Sequence, residues 1–284
     1  MVLLKNLWPL ALSLVLVLLV LALLLRLLES WMTFYPGGTL EANPADYGLA
    51  HENMLFDCAD GGTIHGWYFP PADQEAPVLI IFHGNAGNIS HRLDWIAPLV
   101  NSGTGALLFD YRGYGKSRGA SPSEKTFRQD AETVYEHLKL SRGLETKRLI
   151  PFGRSLGSYP AAWLAAHHPV GGLILEGAFG SGKQMARQMF GFLPAHLVMK
   201  NRWEVAGNLA RAGAPALIVH GTADNVVPFI LGAGLAKTER QAATEWWPVQ
   251  GGSHLDLHLV LGEKYYQRLR EFARSAASRG GRKP

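Results

Sequence analysis

Cysteine is almost absent from this chain: Cys58 stands alone among 284 residues, which excludes an intrachain disulfide and leaves the redox compartment unread. Its expected place is inside a packed strand. Charge is sparse as well, at 18% of residues. The formal net charge of +4 does not mark a nucleic-acid surface, because Arg274, Arg279, Arg282 and Lys283 supply four positive charges without an acid, and the remaining body is near neutral. No nucleic-acid partner is therefore expected. Metal-ligand clusters are also missing. His254 and His258 would share one helix face, but no further His, Cys or carboxylate group completes a site, so neither a metal nor a cofactor is expected. Gly115-Lys116-Ser117 has the ending of a phosphate-binding loop, yet the position that needs its first glycine is Asp110, and that reading fails. No internal repeat is visible.

What the first segment has in excess is apolar surface. Nineteen residues from Leu7 to Leu25 carry no charge and are mostly Leu and Val. At 1.5 Å per residue such a helix crosses most of a hydrocarbon core about 30 Å thick. The rival is a cleaved signal peptide, but the run exceeds a usual apolar core of such peptides, and Arg26-Leu27-Leu28-Glu29-Ser30-Trp31 lacks a small-x-small cleavage pattern. The expectation is an uncleaved single-pass anchor over residues 1–30, with the bilayer as a partner. Lys5 on one side and Arg26 on the other leave its orientation open.

Residues 31–50 carry turn residues, Tyr35-Pro36-Gly37-Gly38 and Asn43-Pro44, with no sustained period, and read as a juxtamembrane connector. A globular domain follows over residues 51–273. Glu52 to Asp57 and Thr63 to Phe69 predict an antiparallel edge hairpin. Strands are then expected at Val78 to Phe82, Gly105 to Phe109, Leu149 to Phe152, Gly172 to Glu176, Ala216 to His220 and Thr244 to Val249, with helices between them. That alternation predicts an α/β fold whose mostly parallel central sheet carries helices on both faces. Ser121-Pro122-Ser123-Glu124 reads as a capping box with proline at the first helical position, ahead of a face formed by Phe127, Ala131, Val134, Tyr135 and Leu138. Residues 178–210, rich in Met and Phe, read either as a short helical lid suited to apolar substrates or as an ordinary crossover. Residues 274–284 form a small, basic tail expected to be disordered.

The chemistry centres on Gly153-Arg154-Ser155-Leu156-Gly157, a G-x-S-x-G pentapeptide between an apolar strand and a helix expected from Leu156 to His167. A serine at such a turn is held in a tight elbow, and flanking glycines remove side chains that would collide with neighbouring backbone. The acid candidate is Asp224, in the loop that ends the strand Leu217 to His220. The base candidate is His254, in the glycine-rich turn after Thr244 to Val249. Open α/β sheets place functional groups at the carboxyl ends of their strands. A serine hydroxyl is a weak nucleophile, so Ser155 needs His254 to take its proton, and Asp224 would fix the imidazole tautomer and stabilise the imidazolium.

With His83-Gly84-Asn85-Ala86-Gly87-Asn88 and Phe109-Asp110-Tyr111-Arg112-Gly113-Tyr114-Gly115-Lys116-Ser117 added to these motifs, the chain over roughly residues 50 to 273 resembles the α/β-hydrolase superfamily and, within it, the membrane-tethered Bem46-like group. The resemblance implies an oxyanion hole made by the backbone N–H groups of Asn85 and Leu156, and the small-residue turn after Val78 to Phe82 agrees with it. His83 is expected to shape that turn, and Asp110 and Arg112 to form a buried pair bordering the pocket. Two departures stand out: Pro160 in Ser158-Tyr159-Pro160 removes a backbone donor near the start of the elbow helix, and Asn225 sits beside the acid without an assignable role. The expected activity is a serine hydrolase acting on an acyl ester or thioester, on a lipid or an acylated protein, through an acyl-enzyme. The alternatives are a serine peptidase of the same fold and a non-catalytic hydrolase-like binding module.

Overall fold

The computed structural model of the chain describes residues 2–191 and 199–279. Part of the expected lid or crossover, 192–198, and the end of the expected basic tail, 280–284, lie outside the described residues. Helix α1 (Val2–Thr33) leads into a short strand β1 (Tyr35–Pro36) and a 3-10 turn (Pro44–Tyr47), followed by the hairpin β2 (Glu52–Asp57) and β3 (Thr63–Phe69). Next come β4 (Val78–Phe82), the two-residue β5 (Ala86–Gly87), α2 (Leu93–Asn101), β6 (Gly105–Phe109), α3 (Glu124–Glu136), β7 (Leu149–Arg154) and α4 (Ser158–His167). The chain continues through β8 (Leu173–Glu176), α5 (Gly182–Phe190), α6 (Val205–Arg211), β9 (Ala216–Gly221), α7 (Phe229–Ala236), β10 (Thr244–Val249), α8 (Leu257–Leu261) and α9 (Glu263–Arg279).

Eight strands form one sheet in the order β2-β3-β6-β4-β7-β8-β9-β10, parallel from β6 to β10 and antiparallel at the β2-β3 end. Why the central strands read as unbroken apolar runs is visible in β4. Val78, Ile80 and Phe82 enter one core with side chains of α3, α4 and α6, while Leu79 and Ile81 enter the opposite core with α2 and α9. A strand covered on both faces cannot alternate with polar residues. Each fully buried aliphatic or aromatic side chain contributes about 1.5–3 kcal/mol of transfer free energy, so the five residues of β4 make a stable centre for the sheet.

β4 lies at the point where strand order reverses: β6 follows it on one side and β7 on the other. The crevice at the carboxyl ends of β4 and β7 is the topological switch point, where open α/β sheets bind ligands. Asn85 follows β4 there and Ser155 follows β7.

Four details depart from the sequence expectations. The helix cap of α3 is Ser123, whose hydroxyl accepts from Thr126 N, so Pro122 precedes the cap and packs on Gly113 instead of opening the helix. The connector is not free of structure: Tyr35 and Pro36 pair in parallel with Ala86 and Gly87. The basic tail is helical as far as Arg279, because Ala273, Ala276 and Ala277 continue the buried face of α9 onto Gly172. Arg112 pairs with Asp130 (Nε to Oδ1, 2.5 Å) and with Asp60, not with Asp110, which lies 3.4 Å from His83 Nε2 and accepts from Ile89 N. Both residues lie past the end of β6, where the chain has left the strand, and each is taken by other partners: Asp110 by Ile89 N, and Arg112 by Asp130, which also accepts from the Arg112 N–H. Pro160, by contrast, disturbs nothing. It sits in the first turn of α4 after a 3-10 turn (Ser155–Gly157), where a helix has unpaired N–H groups in any case.

Candidate active site

β7 ends at Arg154, and the next residue, Ser155, adopts φ 52°, a left-handed conformation costly for a side chain other than glycine. Such strain persists only where the surroundings enforce it. Here the chain must turn from β7 into α4 against the end of β4, and at Gly157 any Cβ would overlap the carbonyl oxygen of Phe82. Trp203 is the other non-glycine residue with positive φ among the described residues, at 49°. Both line one cavity of about 240 Å³, whose walls include Asn85, Leu156, Phe179, Met185, Met189 and Val227. Apolar side chains dominate it.

His254 and Asp224 meet beside this elbow. His254 Nδ1 is 2.7 Å from Asp224 Oδ2. A carboxylate only accepts, so Nδ1 carries the hydrogen and Nε2 keeps its lone pair. The other carboxylate oxygen, Oδ1, accepts from Val226 N at 2.9 Å and Val227 N at 2.8 Å, which fixes the acid within its own loop. That loop is tied to the His254 turn by Thr222 N to Val249 O and Ala223 N to Gly252 O, both 2.9 Å. Burial pushes the Asp224 carboxyl up, but hydrogen bonds from His220, His254 and Val227, with the attraction of the His254 ring when it carries a proton on both nitrogens, outweigh it and hold the group well below the usual carboxylate range.

His220 is a second imidazole on the same acid, with Nε2 at 3.3 Å from Asp224 Oδ2 and 2.8 Å from the Val227 carbonyl. Sequence reasoning passed over it. Its only signal was position, at the end of β9 and four residues ahead of the acid.

Register brings this pair next to Ser155. Arg154 pairs with Glu176 across β7 and β8, so the residues that follow them, Ser155 and Gly177, emerge side by side. Gly177 has φ 57°, and a Cβ there would stand 3.0 Å from His254 Cε1. The imidazole therefore occupies space that only glycine leaves open. Among the hydrogen bonds of the described residues none joins Ser155 Oγ to His254, and unliganded sites of this kind often hold that contact long until substrate is bound.

The turn after β4 carries Asn85. Its carbonyl accepts from Tyr35 N (3.0 Å) and Tyr114 Oη (2.8 Å), and its side-chain Nδ2 donates to Thr33 O (3.0 Å). These partners hold the peptide without using the Asn85 N–H. His83, beneath it, is buried, with Nδ1 2.7 Å from Gly84 O. Behind Ser155, Arg154 Nε pairs with Glu176 Oε1 at 2.6 Å, and Tyr265 Oη donates to Glu176 Oε2 at 2.5 Å.

A strand-elbow-helix at the switch point, followed by an acid and a histidine from later loops, is an arrangement with known counterparts. The alpha/beta hydrolase domain-containing protein WAV2 of Arabidopsis thaliana is 31% identical over 247 residues, covering 79% of this chain and 79% of the relative. The chain belongs to the α/β-hydrolase superfamily. Its relatives are those of the Bem46-like group. An uncharacterized Mycobacterium tuberculosis protein is 30% identical to this hydrolase over 232 residues, 81% of the chain and 82% of the relative. The Xenopus laevis alpha/beta hydrolase domain-containing protein 17C is 28% identical over 199 residues, 68% of the chain and 60% of the relative. The family model described as serine aminopeptidase, S33, matches residues 73–206 of the hydrolase. Among solved structures, an esterase of Pyrococcus furiosus superposes with a TM-score of 0.70 at 18% identity, over 86% of this chain and 97% of the esterase. At that identity the likeness concerns the fold.

Sequence reasoning also missed a wall of the cavity. Leu25, Glu29, Met32 and Thr33 of α1 line it. The signal was a lone carboxylate, Glu29, near the end of an otherwise apolar helix.

Proposed function

We propose that this α/β-hydrolase is a membrane-anchored serine hydrolase that cleaves an acyl ester or thioester through an acyl-enzyme on Ser155. The observation that carries the reading is the placement of a strained Ser155 on an apolar cavity, beside a His254 imidazole whose Nδ1 is bound to Asp224. In this reading His254 Nε2 removes the Ser155 proton as Oγ bonds to the carbonyl carbon, and returns it to the departing alcohol or thiol. Water then repeats the sequence, releasing the acid and restoring the serine. Asp224 holds the imidazole by Nδ1 and stabilises it when it is charged. The N–H groups of Asn85 and Leu156, both on the cavity, receive the developing oxyanion, and loss of one such donor costs about 3 kcal/mol in comparable sites. No cofactor or metal takes part in this scheme.

The anchor reading rests on α1. Residues Trp8–Thr33 make 26 apolar-rich helical residues, and Leu10, Leu14, Leu18 and Leu24 point outward uncovered. Exposed apolar surface of that length is stable in lipid and not in water.

The family model's description favours a second reading, an aminopeptidase. A substrate with a free α-amine needs an anion in the pocket. Glu29 is the single acid among the described residues that line the cavity, and its oxygens already accept from Lys200 N, Asn201 N and Asn201 Nδ2. The apolar walls and this engaged carboxylate favour an acyl chain over a peptide amine.

The test uses the detergent-solubilised chain and its Ser155→Ala variant, with fluorophosphonate labelling and turnover of acyl esters, acyl thioesters and aminoacyl amides. Labelling and ester turnover that disappear together in the variant support the reading. Turnover restricted to aminoacyl amides selects the peptidase, and absence of labelling in folded wild-type protein selects a non-catalytic binding module.

A further inference from the structure

Leu25, Glu29, Met32 and Thr33 recur at i, i+4, i+7 and i+8, one face of a helix, and extend about 12 Å along its axis. That face does not merely pass near the domain. The carboxylate of Glu29 is buried and accepts from Lys200 N at 2.5 Å and from Asn201 N and Asn201 Nδ2, each at 2.8 Å. Asn201 Oδ1 in turn accepts from Glu124 N at the start of α3. One residue beyond α1, Phe34 is buried against Phe127 (centroids 5.5 Å apart) and Trp203 (5.9 Å). The end of α1 is thus fixed to the domain by a polar latch on one side and an aromatic plug on the other.

Met185 and Met189 of α5 and Ser155 line the same cavity. Toward the amino terminus, the uncovered leucines of α1 continue the apolar surface of this wall. With α1 in a bilayer, a chain lying on this wall would meet the uncovered leucines of α1, and so lipid, on leaving the pocket. Methionine in the lining adapts to a flexible aliphatic occupant.

Resting on the reading of Ser155 as nucleophile and α1 as a membrane helix, we propose that the last turns of α1 form the acyl-chain wall of the active site. The substrate is a long-chain acyl ester or thioester whose carbonyl reaches Ser155 while its chain lies along α1 toward the bilayer. Leu25 and Met32 then set chain-length preference, and the anchor is a specificity-determining element of the enzyme.

The direct experiment labels the full chain in micelles with two fluorophosphonates. One carries a long alkyl chain ending in a diazirine, and the other carries the diazirine on a short chain. After irradiation, peptide mapping is expected to place the long probe's crosslink in residues 20–33, and the short probe's in the elbow region. A long-probe crosslink confined to other parts of the domain overturns the proposal while leaving the serine hydrolase intact. Absence of labelling overturns the hydrolase reading itself.

Turnover gives an independent readout. Leu25→Trp and Met32→Trp fill the groove, and each is expected to lower the ratio of kcat/KM for a palmitoyl ester over a butyryl ester by about tenfold, the scale at which apolar pockets discriminate chain size. A ratio equal to that of the wild type in both labelled variants overturns the proposal. Should either variant fail to fold, the crosslink in the wild-type chain decides.

Discussion

Gly177 and His254 share one volume: the imidazole stands where a side chain at Gly177 would project, 3.0 Å from the position of a Cβ. Because Gly177 follows Glu176, and Glu176 pairs with Arg154, this vacancy is what places the imidazole, the base of the proposed reaction, beside Ser155. Gly177→Ala introduces the Cβ and strains a φ of 57°, so the ring must shift. A displacement of about 1 Å costs on the order of 10²-fold in rate, and kcat for an ester is expected to fall by that factor. A wild-type rate in the variant would show that the ring has another way to reach the serine.

Asp224→Asn removes the charge that fixes the His254 tautomer. Removal of the acid from such a pair lowers kcat by about 10⁴, and a loss of that order is expected at neutral pH.

The same acid makes stability depend on pH. Its folded carboxyl titrates well below its unfolded value near 3.9, so between the two the unfolded chain binds more protons and stability rises with pH. The contribution is therefore complete above about pH 5 and is lost progressively as pH falls through the unfolded value and down to the depressed folded one. Urea denaturation of the wild type and Asp224→Asn across the acid range is expected to give a shallower acid slope in the variant.

Tyr265→Phe deletes the hydroxyl that donates to Glu176 Oε2 at 2.5 Å in a buried setting. The stranded carboxylate oxygen costs about 1–3 kcal/mol, read as a lower denaturation midpoint. Because Glu176 still holds Arg154, Ser155 keeps its place, and the effect on kcat is expected to be much smaller than that of Gly177→Ala.

Glu29→Ala leaves two backbone N–H groups and the Asn201 amide without their acceptor. A destabilisation of at least about 2 kcal/mol is expected, visible as a lower Tm in detergent. An unchanged Tm would mean that lipid or solvent groups replace the carboxylate.

Much of this was legible in the sequence because it depends on local pattern. The apolar runs that became β4, β7 and β9 are short and bounded by turn residues, and a doubly covered parallel strand admits few other side chains. Ser155, Asp224 and His254 were readable since each closes such a run or follows it in a glycine-rich turn. What escaped depends on packing between distant segments. Nothing near Gly177 in the chain announces that His254 will need its space. Nothing around Glu29 in the chain announces that Asn201, far along the chain, will bind its carboxylate. The false pairing of Asp110 with Arg112 came from nearness in sequence, whereas the partner that takes Arg112, Asp130, arrives on α3 from eighteen residues further along. The cap at Ser123 in place of Ser121 is a two-residue slip in a stretch where both serines satisfy the local rule.

Phe34 and Glu29 bear on how the first thirty-odd residues should be regarded. A hydropathy profile marks them as an address label, something a protein can shed once delivered. Shortening the chain to start at Tyr35 would open a hole between Phe127 and Trp203, strip Asn201 of its carboxylate, and take away the Thr33 carbonyl that receives Asn85. What remained would be an unfinished molecule, with its damage concentrated on the side where the serine opens.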